Sequence, residues 1–249
     1  MYEEHPFFKL PAEPTPLWRY LDFVKLVALL DSRALHFCRS DYLGDPFEGS
    51  LSEASVAYRA VRIGRLSYTD EEKTELAEKT SREFRKTRYV TYINCWHIDE
   101  EESMAMWHLY APGNGVAIKS TCDRLTKSFP PSDPTKVNIG MVRYEHQKAV
   151  AFGALRFLPY LVKRRSFAYE RELRAVTTET SQLDKDESEL DTCMPPGKNV
   201  PVDLTALIES IHVSPEAATW FLDLVKSVVH KFGCSAPVTQ SRLAGDPLY

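Results

Sequence analysis

The sequence lacks the patterns that mark several common classes of protein. Its five cysteines are odd in number and widely spaced, and they form no Cys-x-x-Cys or Cys/His cluster. We therefore expect neither a disulfide scaffold nor a structural zinc site. No apolar run approaches the roughly 20 residues of a membrane span, and the N-terminus has no signal-peptide pattern. These absences predict a cytoplasmic protein with reduced thiols and no membrane association.

An excess of positive charge is also missing. Lys and Arg number 31 against 35 Asp and Glu, which gives a net charge of −4. This balance argues against broad binding to a nucleic-acid backbone. Positive charge is nevertheless concentrated in the run Lys163-Arg164-Arg165 and at Arg171 and Arg174. The sequence therefore leaves room for a local anion site.

The composition that is present predicts one folded domain. Hydrophobic residues make up 43% of the 249 positions and aromatic residues 11%, which is enough to build a core. No repeat period and no strongly biased linker marks a boundary, so residues 1–249 are predicted to form a single domain. One segment, 178–199, is acidic and contains Pro195-Pro196-Gly197, and it is predicted to be a flexible loop that acts as a lid or is disordered.

Hydrophobic spacing predicts an α+β fold. Strands are expected over 17–20, 34–38, 89–96, 116–119, 137–144, 166–177, 208–213 and 238–241. Helices are expected over 23–30, in two stretches between 52 and 88, over 103–110 and 148–162, and from 214 to 233. This order of elements predicts a mixed, mostly antiparallel sheet with flanking helices.

The most informative stretch is Tyr169-Glu170-Arg171-Glu172-Leu173-Arg174. Side chains alternate on a strand, so Glu170, Glu172 and Arg174 are predicted to line one face. The two carboxylates would then lie roughly 6 to 7 Å apart at Cα, close enough to share a ligand or for repulsion to raise one pKa. The alternative is a salt-bridged strand face in which Arg174 neutralises both acids.

Four motifs over nearly the whole chain resemble the bacterial domain of unknown function 2971 family. They are Leu17-Trp18-Arg19-Tyr20, the loop Asp45-Pro46-Phe47-Glu48, Met106-Trp107-His108-Leu109-Tyr110-Ala111 followed by Gly115-Val116-Ala117-Ile118, and the Glu-x-Glu stretch above. Members typically have Asn before the Asp-Pro-Phe-Glu core, where this chain has Gly44. The resemblance brings no established activity with it.

The arrangement of the site residues is also similar to that of the ADP-ribosyltransferase superfamily, whose sheet is split. That resemblance implies that Arg19, on the first strand, holds part of NAD, which would be the substrate. Glu172 would bind the ribose and stabilise the oxocarbenium-like centre as nicotinamide leaves. Glu170 would orient the acceptor, which the sequence leaves open between a protein, a nucleic acid, water and a small molecule.

The remaining NAD contacts have more than one candidate. A small hydroxyl residue would brace the nicotinamide half, and Thr91 and Ser40 are equal candidates because Asn94-Cys95-Trp96 stands where the superfamily has Ser-Thr-Ser. Tyr20 and Trp107 are candidates for stacking on a ring of NAD, with Arg174 also in the binding set. The alternative for the aromatic residues is that they belong to the core.

Two other functions are consistent with the same residues. A metal-dependent nuclease or phosphohydrolase would hold Mg²⁺ and engage phosphate through two groups of side chains: the acids Asp45, Glu48, Glu170 and Glu172, and the bases Arg164, Arg165 and Arg174. In a non-catalytic binding module, Asp45 and Glu48 would instead pair with Arg19, Arg39 or Arg174 as an internal strut. A transferase needs NAD and no metal, a nuclease needs metal and no NAD, and a module needs neither.

Overall fold

The computed structural model describes residues 1–11, 15–146 and 157–245. In these residues the strands are β1 (Pro16–Asp22), β2 (Ala34–Arg39), β3 (Thr91–Ile98), β4 (Gly115–Thr121), β5 (Asn138–Met141), β6 (Arg143–Glu145), β7 (Val162–Arg164), β8 (Glu172–Thr178), β9 (Gly197–Pro201), β10 (Ser210–Val213) and β11 (Val238–Gln240). The α-helices are α1 (Phe23–Ser32), α2 (Glu53–Gly64), α3 (Asp70–Val90), α4 (Met104–Tyr110), α5 (Cys122–Ser128), α6 (Glu187–Cys193), α7 (Leu204–Leu207) and α8 (Thr219–Lys231). None of the described helices combines the length and the apolar character needed to cross a membrane.

The main sheet is mixed and mostly antiparallel, which confirms the predicted α+β class. Its order is β11-β10-β4-β1-β3-β2-β9, and β8 pairs with β3 on one side and with β5 on the other. Within this sheet β10 and β11 run parallel, and β6 and β7 form a separate parallel pair. The described parts of the chain thus build one large sheet around the central pair β3 and β8.

One edge of β3 is divided between two strands. On its other edge β3 pairs with β8 from Thr91 to His97. On the divided edge, β1 reaches only His97 and Ile98, and β2 reaches only Tyr92 and Ile93. Residues 94–96 of β3, which we call the seam, lie between these two pairings.

Side chains rather than a strand close the seam. Arg19 Nη1 donates to Cys95 O at 2.5 Å, and Asn94 Nδ2 donates to His36 O at 2.8 Å. Trp96 Nε1 donates in turn to Asn94 Oδ1 at 2.8 Å. These bonds satisfy polar groups that a continuous ladder would otherwise have paired.

The core lies mainly on one face of the sheet. Its largest cluster joins α1, α5 and α8 to alternate residues of the strands, such as Leu26, Ile118, Leu173 and Val225. Because side chains alternate along β8, the neighbours of Leu173 project from the opposite face. That opposite face carries two smaller apolar clusters and, between them, the charged residues of β8.

Local hydrogen bonds explain where several helices begin. Asp22 accepts from Lys25 N at the start of α1, and Thr69 and Glu72 form a capping box at the start of α3. The helix predicted from residue 214 starts only at Thr219. The earlier residues form a turn instead, in which Ser214 Oγ accepts from Glu216 N at 3.3 Å and Ser214 O accepts from Ala217 N at 3.1 Å.

The segment 178–199, which was predicted to be a flexible loop, contains regular secondary structure. The segment contains α6 and the first residues of β9, which pairs with β2. Its acidic composition suggested that it had little to bury, but Leu190 is fully buried and α6 packs against α3. A capping box between Asp186 and Glu189 fixes the start of the helix.

The helix predicted over 148–162 lies largely outside the described residues. The part that is described, 157–162, contains a 3₁₀ turn at Leu158–Leu161, which leads directly into β7. The strand predicted over 166–177 is correct only from Glu172 onward, because Arg165–Glu170 forms a 3₁₀ helix. This change of backbone decides how the two acids reach the site.

Candidate functional site

Glu170 and Glu172 approach each other from different backbone elements. Glu170 ends the 3₁₀ helix Arg165–Glu170, and Arg171 follows in the left-handed conformation with φ 41° and ψ 56°. Arg171 is held there by its Nη1, which donates to Asp99 Oδ2 at 2.7 Å. The prediction that Glu170 shares a strand face with Glu172 was therefore wrong. It holds for Glu172 and Arg174, which both lie on β8.

Lys163 on β7 brings the two carboxylates together. Its Nζ donates to Glu170 Oε2 in a short hydrogen bond and to Glu172 Oε1 at 2.8 Å. Glu48 Oε1, from the loop before α2, lies 3.5 Å from the same ammonium. All three carboxylates are at least nine-tenths buried, so their charges are only weakly screened by solvent.

Arg174, which is buried on β8, completes the cluster. Its Nη1 and Nη2 donate to the two oxygens of Glu48 at 2.8 and 2.6 Å. Its Nε and Nη2 donate to Glu172 at 2.7 and 3.2 Å, and Nη1 also donates to Tyr160 O at 2.8 Å. These five bonds match the five N–H groups of a guanidinium, so its whole donor capacity is used.

The cluster drives the pKa values of Glu170 and Glu172 apart. Burial raises the pKa of Glu170 to about 7, and the neighbouring Glu172 charge adds to this while Lys163 opposes it. Burial would also raise the pKa of Glu172, but Arg174 and Lys163 hold it well below its ordinary value. Glu172 therefore keeps its negative charge to lower pH than Glu170 does. Such divergence is how a pair of carboxyls divides acid–base roles.

Three further side chains fix the backbone and the carboxylate of this stretch. Tyr110 OH donates to Glu170 Oε1 at 2.8 Å, and the hydroxyl of Tyr144 accepts from Glu172 N at 2.7 Å. His97 Nδ1 lies 2.6 Å from Glu170 O, and a carbonyl only accepts, so this nitrogen carries the proton. Tyr110 is 43% exposed, so it connects the buried acid to the surface.

A solvent-open cleft runs beside the cluster. It is lined by the 45–52 loop, the end of β6 and β7, with Glu48 and Lys163 among its lining residues. Arg164 lies in the same lining and pairs with Asp45, Nη2 to Oδ1, at 2.8 Å. Its guanidinium lies 4.5 Å from the ring centroid of Phe47 and 5.3 Å from that of Phe167. The cleft therefore presents a cation close to the aromatic ring of Phe47, with Phe167 nearby.

The structure does not bring Arg19 to the acids. Across the sheet Trp18 is in register with His97, and His97 with Glu172, so these three side chains share a face. Arg19 follows Trp18 and projects from the other face, where it closes the seam. Its predicted contact with NAD beside Glu172 conflicts with this placement.

The two hydroxyl candidates are also away from the acids. Ser40 and Thr91 are both fully buried. Ser40 Oγ donates to Arg88 O at 2.9 Å, and Thr91 Oγ1 lies 3.4 Å from Thr178 Oγ1. Both hydroxyls serve the packing around Tyr160, so neither is placed to brace a ligand in the cleft.

Tyr20 and Trp107 belong to a core cluster, as the alternative interpretation held. Their rings pack edge to face at 5.1 Å between centroids, in a cluster with Trp18, Met106 and Ala117. Trp107 is 1% exposed and Tyr20 is 7% exposed. A ring of NAD has no access to either side chain in this packing.

The side chains expected to hold Mg²⁺ are engaged by cations. Lys163 Nζ lies between Glu48, Glu170 and Glu172, where a metal ion would have to sit. Asp45 pairs with Arg164 and does not join the other acids. Among the described residues, no group of three or more His, Cys, Asp and Glu side chains is arranged to hold a metal ion.

Sequence reasoning missed the central role of Lys163 and the contacts of Tyr110 and Tyr144. The only signal for Lys163 was its place in the basic run, which suggested an anion site rather than a partner for acids. Of the ion pairs predicted for a strut, Glu48–Arg174 is present. Arg165 is exposed beside His146 and is not part of the cluster.

No family model matches this sequence, and no curated protein or solved structure matches it either.

Proposed function

We propose that this protein consumes NAD in the manner of an ADP-ribosyltransferase, breaking the bond between nicotinamide and ribose. One observation carries the proposal: an ionised Glu172 lies beside a Glu170 whose pKa is raised to about 7, and one ammonium holds both. Positive charge develops on the ribose as nicotinamide leaves, and a carboxylate fixed beforehand stabilises that charge. Glu172 has this role in the proposal.

Glu170 would act as the general base towards the acceptor. A pKa near 7 is close to the optimum for taking a proton at neutral pH, because both protonation states are populated. Tyr110 orients this carboxyl through its hydrogen bond and reaches the surface, where an acceptor arrives.

The side chains in and beside the cleft favour a substrate that carries both negative charge and aromatic rings. Arg164, whose side chain is 36% exposed and pairs with Asp45, places a guanidinium near Phe47 and Phe167, and guanidinium groups suit phosphate oxygens. A pyrophosphate linking two ring systems matches this combination of charge and apolar surface. Arg19, Tyr20, Ser40, Thr91 and Trp107 have no part in the proposed contacts.

The test is release of nicotinamide from NAD by the purified protein, with and without Mg²⁺. We expect metal-independent release that falls at least about 100-fold in Glu172→Gln, which keeps the shape and removes the charge. Glu187→Gln is the matched control, because Glu187 also pairs with an arginine but lies on the surface of α6. Full activity in Glu172→Gln would contradict the proposal, as would a wild-type protein that neither binds nor cleaves NAD.

A second candidate is a non-catalytic binding module. The observation that favours it is the complete use of the five Arg174 donors, which is typical of a buried structural network. In that case Glu172→Gln would lower the free energy of unfolding, and the wild-type protein would show no binding of NAD by calorimetry.

A further inference from the structure

A second polar cluster lies on β10, apart from the Glu170–Glu172 site. Ser210 Oγ is 3.0 Å from His212 Nε2, and Glu102 lies on the other side of the ring, with Oε1 3.2 Å from His212 Nδ1 in an ion-pair contact that lacks hydrogen-bond geometry. Ser210 and His212 are two residues apart on one strand, so their side chains project from the same face. The order of hydroxyl, imidazole and carboxylate is the one in which a base activates a nucleophile and an acid orients the base.

Glu102 is fixed in place by several donors. Ser241 Oγ donates to its Oε2 in a short hydrogen bond, Trp107 Nε1 donates to the same oxygen at 3.1 Å, and Arg242 N donates to Oε1 at 3.2 Å. Burial would raise the pKa of Glu102, but His212 and these bonds lower it to about 2. The carboxylate is therefore a permanent charge beside the imidazole.

His212 is also held by packing. Its ring meets the ring of Trp18 edge to face, with 5.0 Å between the centroids. Its side chain is 12% exposed, and Ser210 is only partly buried, so both residues of the pair retain some contact with solvent. A base with a single orientation is better placed to take a proton than a mobile one.

Lys119 carries positive charge on the strand that pairs with Ser210. It lies directly opposite Ser210 in the pairing of β4 with β10, a position that places side chains on one face about 5 Å apart at Cβ. Its ammonium lies over the ring of Trp18 and pairs with Glu209 Oε1 at 2.8 Å. A cation there would stabilise an oxyanion formed beside Ser210.

We propose that Ser210, His212 and Glu102 form a serine-nucleophile centre that hydrolyses small carboxylic esters. Ser210 Oγ attacks the ester carbonyl carbon and passes its proton to His212 Nε2. The bond to the leaving oxygen breaks, and the departing alcohol takes that proton, which leaves an acyl group on Ser210. A water molecule then gives its proton to His212 and attacks the acyl carbon. Release of the acid returns the proton to Ser210. Glu102 stays ionised and stabilises the imidazolium.

The experiment is labelling of the full chain with a fluorophosphonate probe, which forms a phosphonyl-serine with loss of fluoride, mapped by peptide mass spectrometry. We expect one adduct at Ser210, absent in Ser210→Ala, and a labelling rate at least about 100-fold lower in His212→Asn. Ser32→Ala is the control, because Ser32 is an exposed hydroxyl that donates to Ala28 O on α1.

Hydrolysis of 4-nitrophenyl acetate gives a second readout, which should be lost in Ser210→Ala.

Two outcomes would overturn this proposal. One is a folded wild-type protein in which Ser210 stays unlabelled, and the other is equal labelling of Ser210 in wild-type and His212→Asn protein. Ser210→Ala removes only a partly exposed hydroxyl, so its thermal unfolding should match that of the wild type. The test therefore stays decisive even if His212→Asn fails to fold.

Discussion

Arg174 and Glu48, 126 residues apart in the chain, are joined by two parallel hydrogen bonds, Nη1 to Oε2 at 2.8 Å and Nη2 to Oε1 at 2.6 Å. This pair ties the loop before α2 to the central strand β8. It thereby brings the Asp45–Glu48 loop, which has no regular backbone pairing with β8, to the site that holds Glu170 and Glu172.

Arg174→Met should destabilise the protein strongly. The change leaves Glu48 and Glu172 buried without their main partner, and breaking a buried pair costs about 3 to 5 kcal/mol. Arg85→Met is the matched control, because the Arg85–Glu187 pair is exposed and should contribute less than about 1 kcal/mol. Urea unfolding measures both changes. If both variants lost the same free energy of unfolding, the buried Arg174 network would stabilise the protein no more than an exposed ion pair does.

Gly49→Ala should displace the same loop. Gly49 has φ +70°, and a Cβ there would overlap the ring of Tyr160, whose carbonyl accepts from Arg174. The backbone strain and the overlap together should lower the free energy of unfolding by about 2 to 4 kcal/mol. Gly44→Ala is the control in the same loop, since a Cβ on Gly44 meets nothing within 4 Å. A Gly49→Ala protein as stable as Gly44→Ala would contradict the placement of this loop.

Glu170 should make the protein less stable as the pH rises. Its folded pKa of about 7 lies above the ordinary 4.5, so the stability it contributes is fully present below pH 4.5 and is lost as the pH rises to about 7. Glu170→Gln removes this dependence. The stability of the wild type relative to the variant should therefore fall by about 3 kcal/mol across that window. Urea unfolding at pH 4.5 and 7.5 tests this, and a constant difference would show that the pKa of Glu170 is not raised.

Tyr110→Phe should shift the pH profile of nicotinamide release upward. The lost hydrogen bond favours the ionised form of Glu170, so its removal raises the pKa of this carboxyl by about one unit. If Glu170 is the base, the acid limb of the rate profile moves by the same amount. Tyr169→Phe, a change at the exposed residue beside Glu170, is the control. An unmoved or lowered midpoint would remove Glu170 from the role of base.

The sequence was sufficient to predict the parts of the fold that depend on local patterns. Alternation along β8 correctly placed Glu172 and Arg174 on one face, and the spacing of apolar residues predicted α1, β2 and α4. It failed for Glu170 because β8 begins only at Glu172: the left-handed residue Arg171 separates the strand from the 3₁₀ helix that ends at Glu170. Arginine has no local preference for the left-handed conformation. The carboxylate that Arg171 contacts, on Asp99, is distant in the chain, so the local sequence gives no sign of this contact either.

The site could be predicted less well because its contacts are tertiary. The meeting of Lys163 with Glu170 and Glu172 depends on how β7 and the following 3₁₀ helix fold back, which no local pattern encodes. For Arg19, by contrast, a local pattern was present but was not used. Its alternation with Trp18 and Tyr20 already separates it from the face that carries Glu172, although the motif read as a unit placed them together.

The seam at residues 94–96 divides the strands on one edge of β3 into two groups. β1, β4, β10 and β11 form one wing, and β2 with β9 forms the other; both are anchored to the same β3–β8 pair. Each wing pairs with only two residues of this edge of β3, and one side-chain hydrogen bond adds to each pairing: Arg19 Nη1 to Cys95 O on the β1 side, and Asn94 Nδ2 to His36 O on the β2 side. The two wings are therefore joined through β3, and these two side chains supplement the short ladders on either side of the seam.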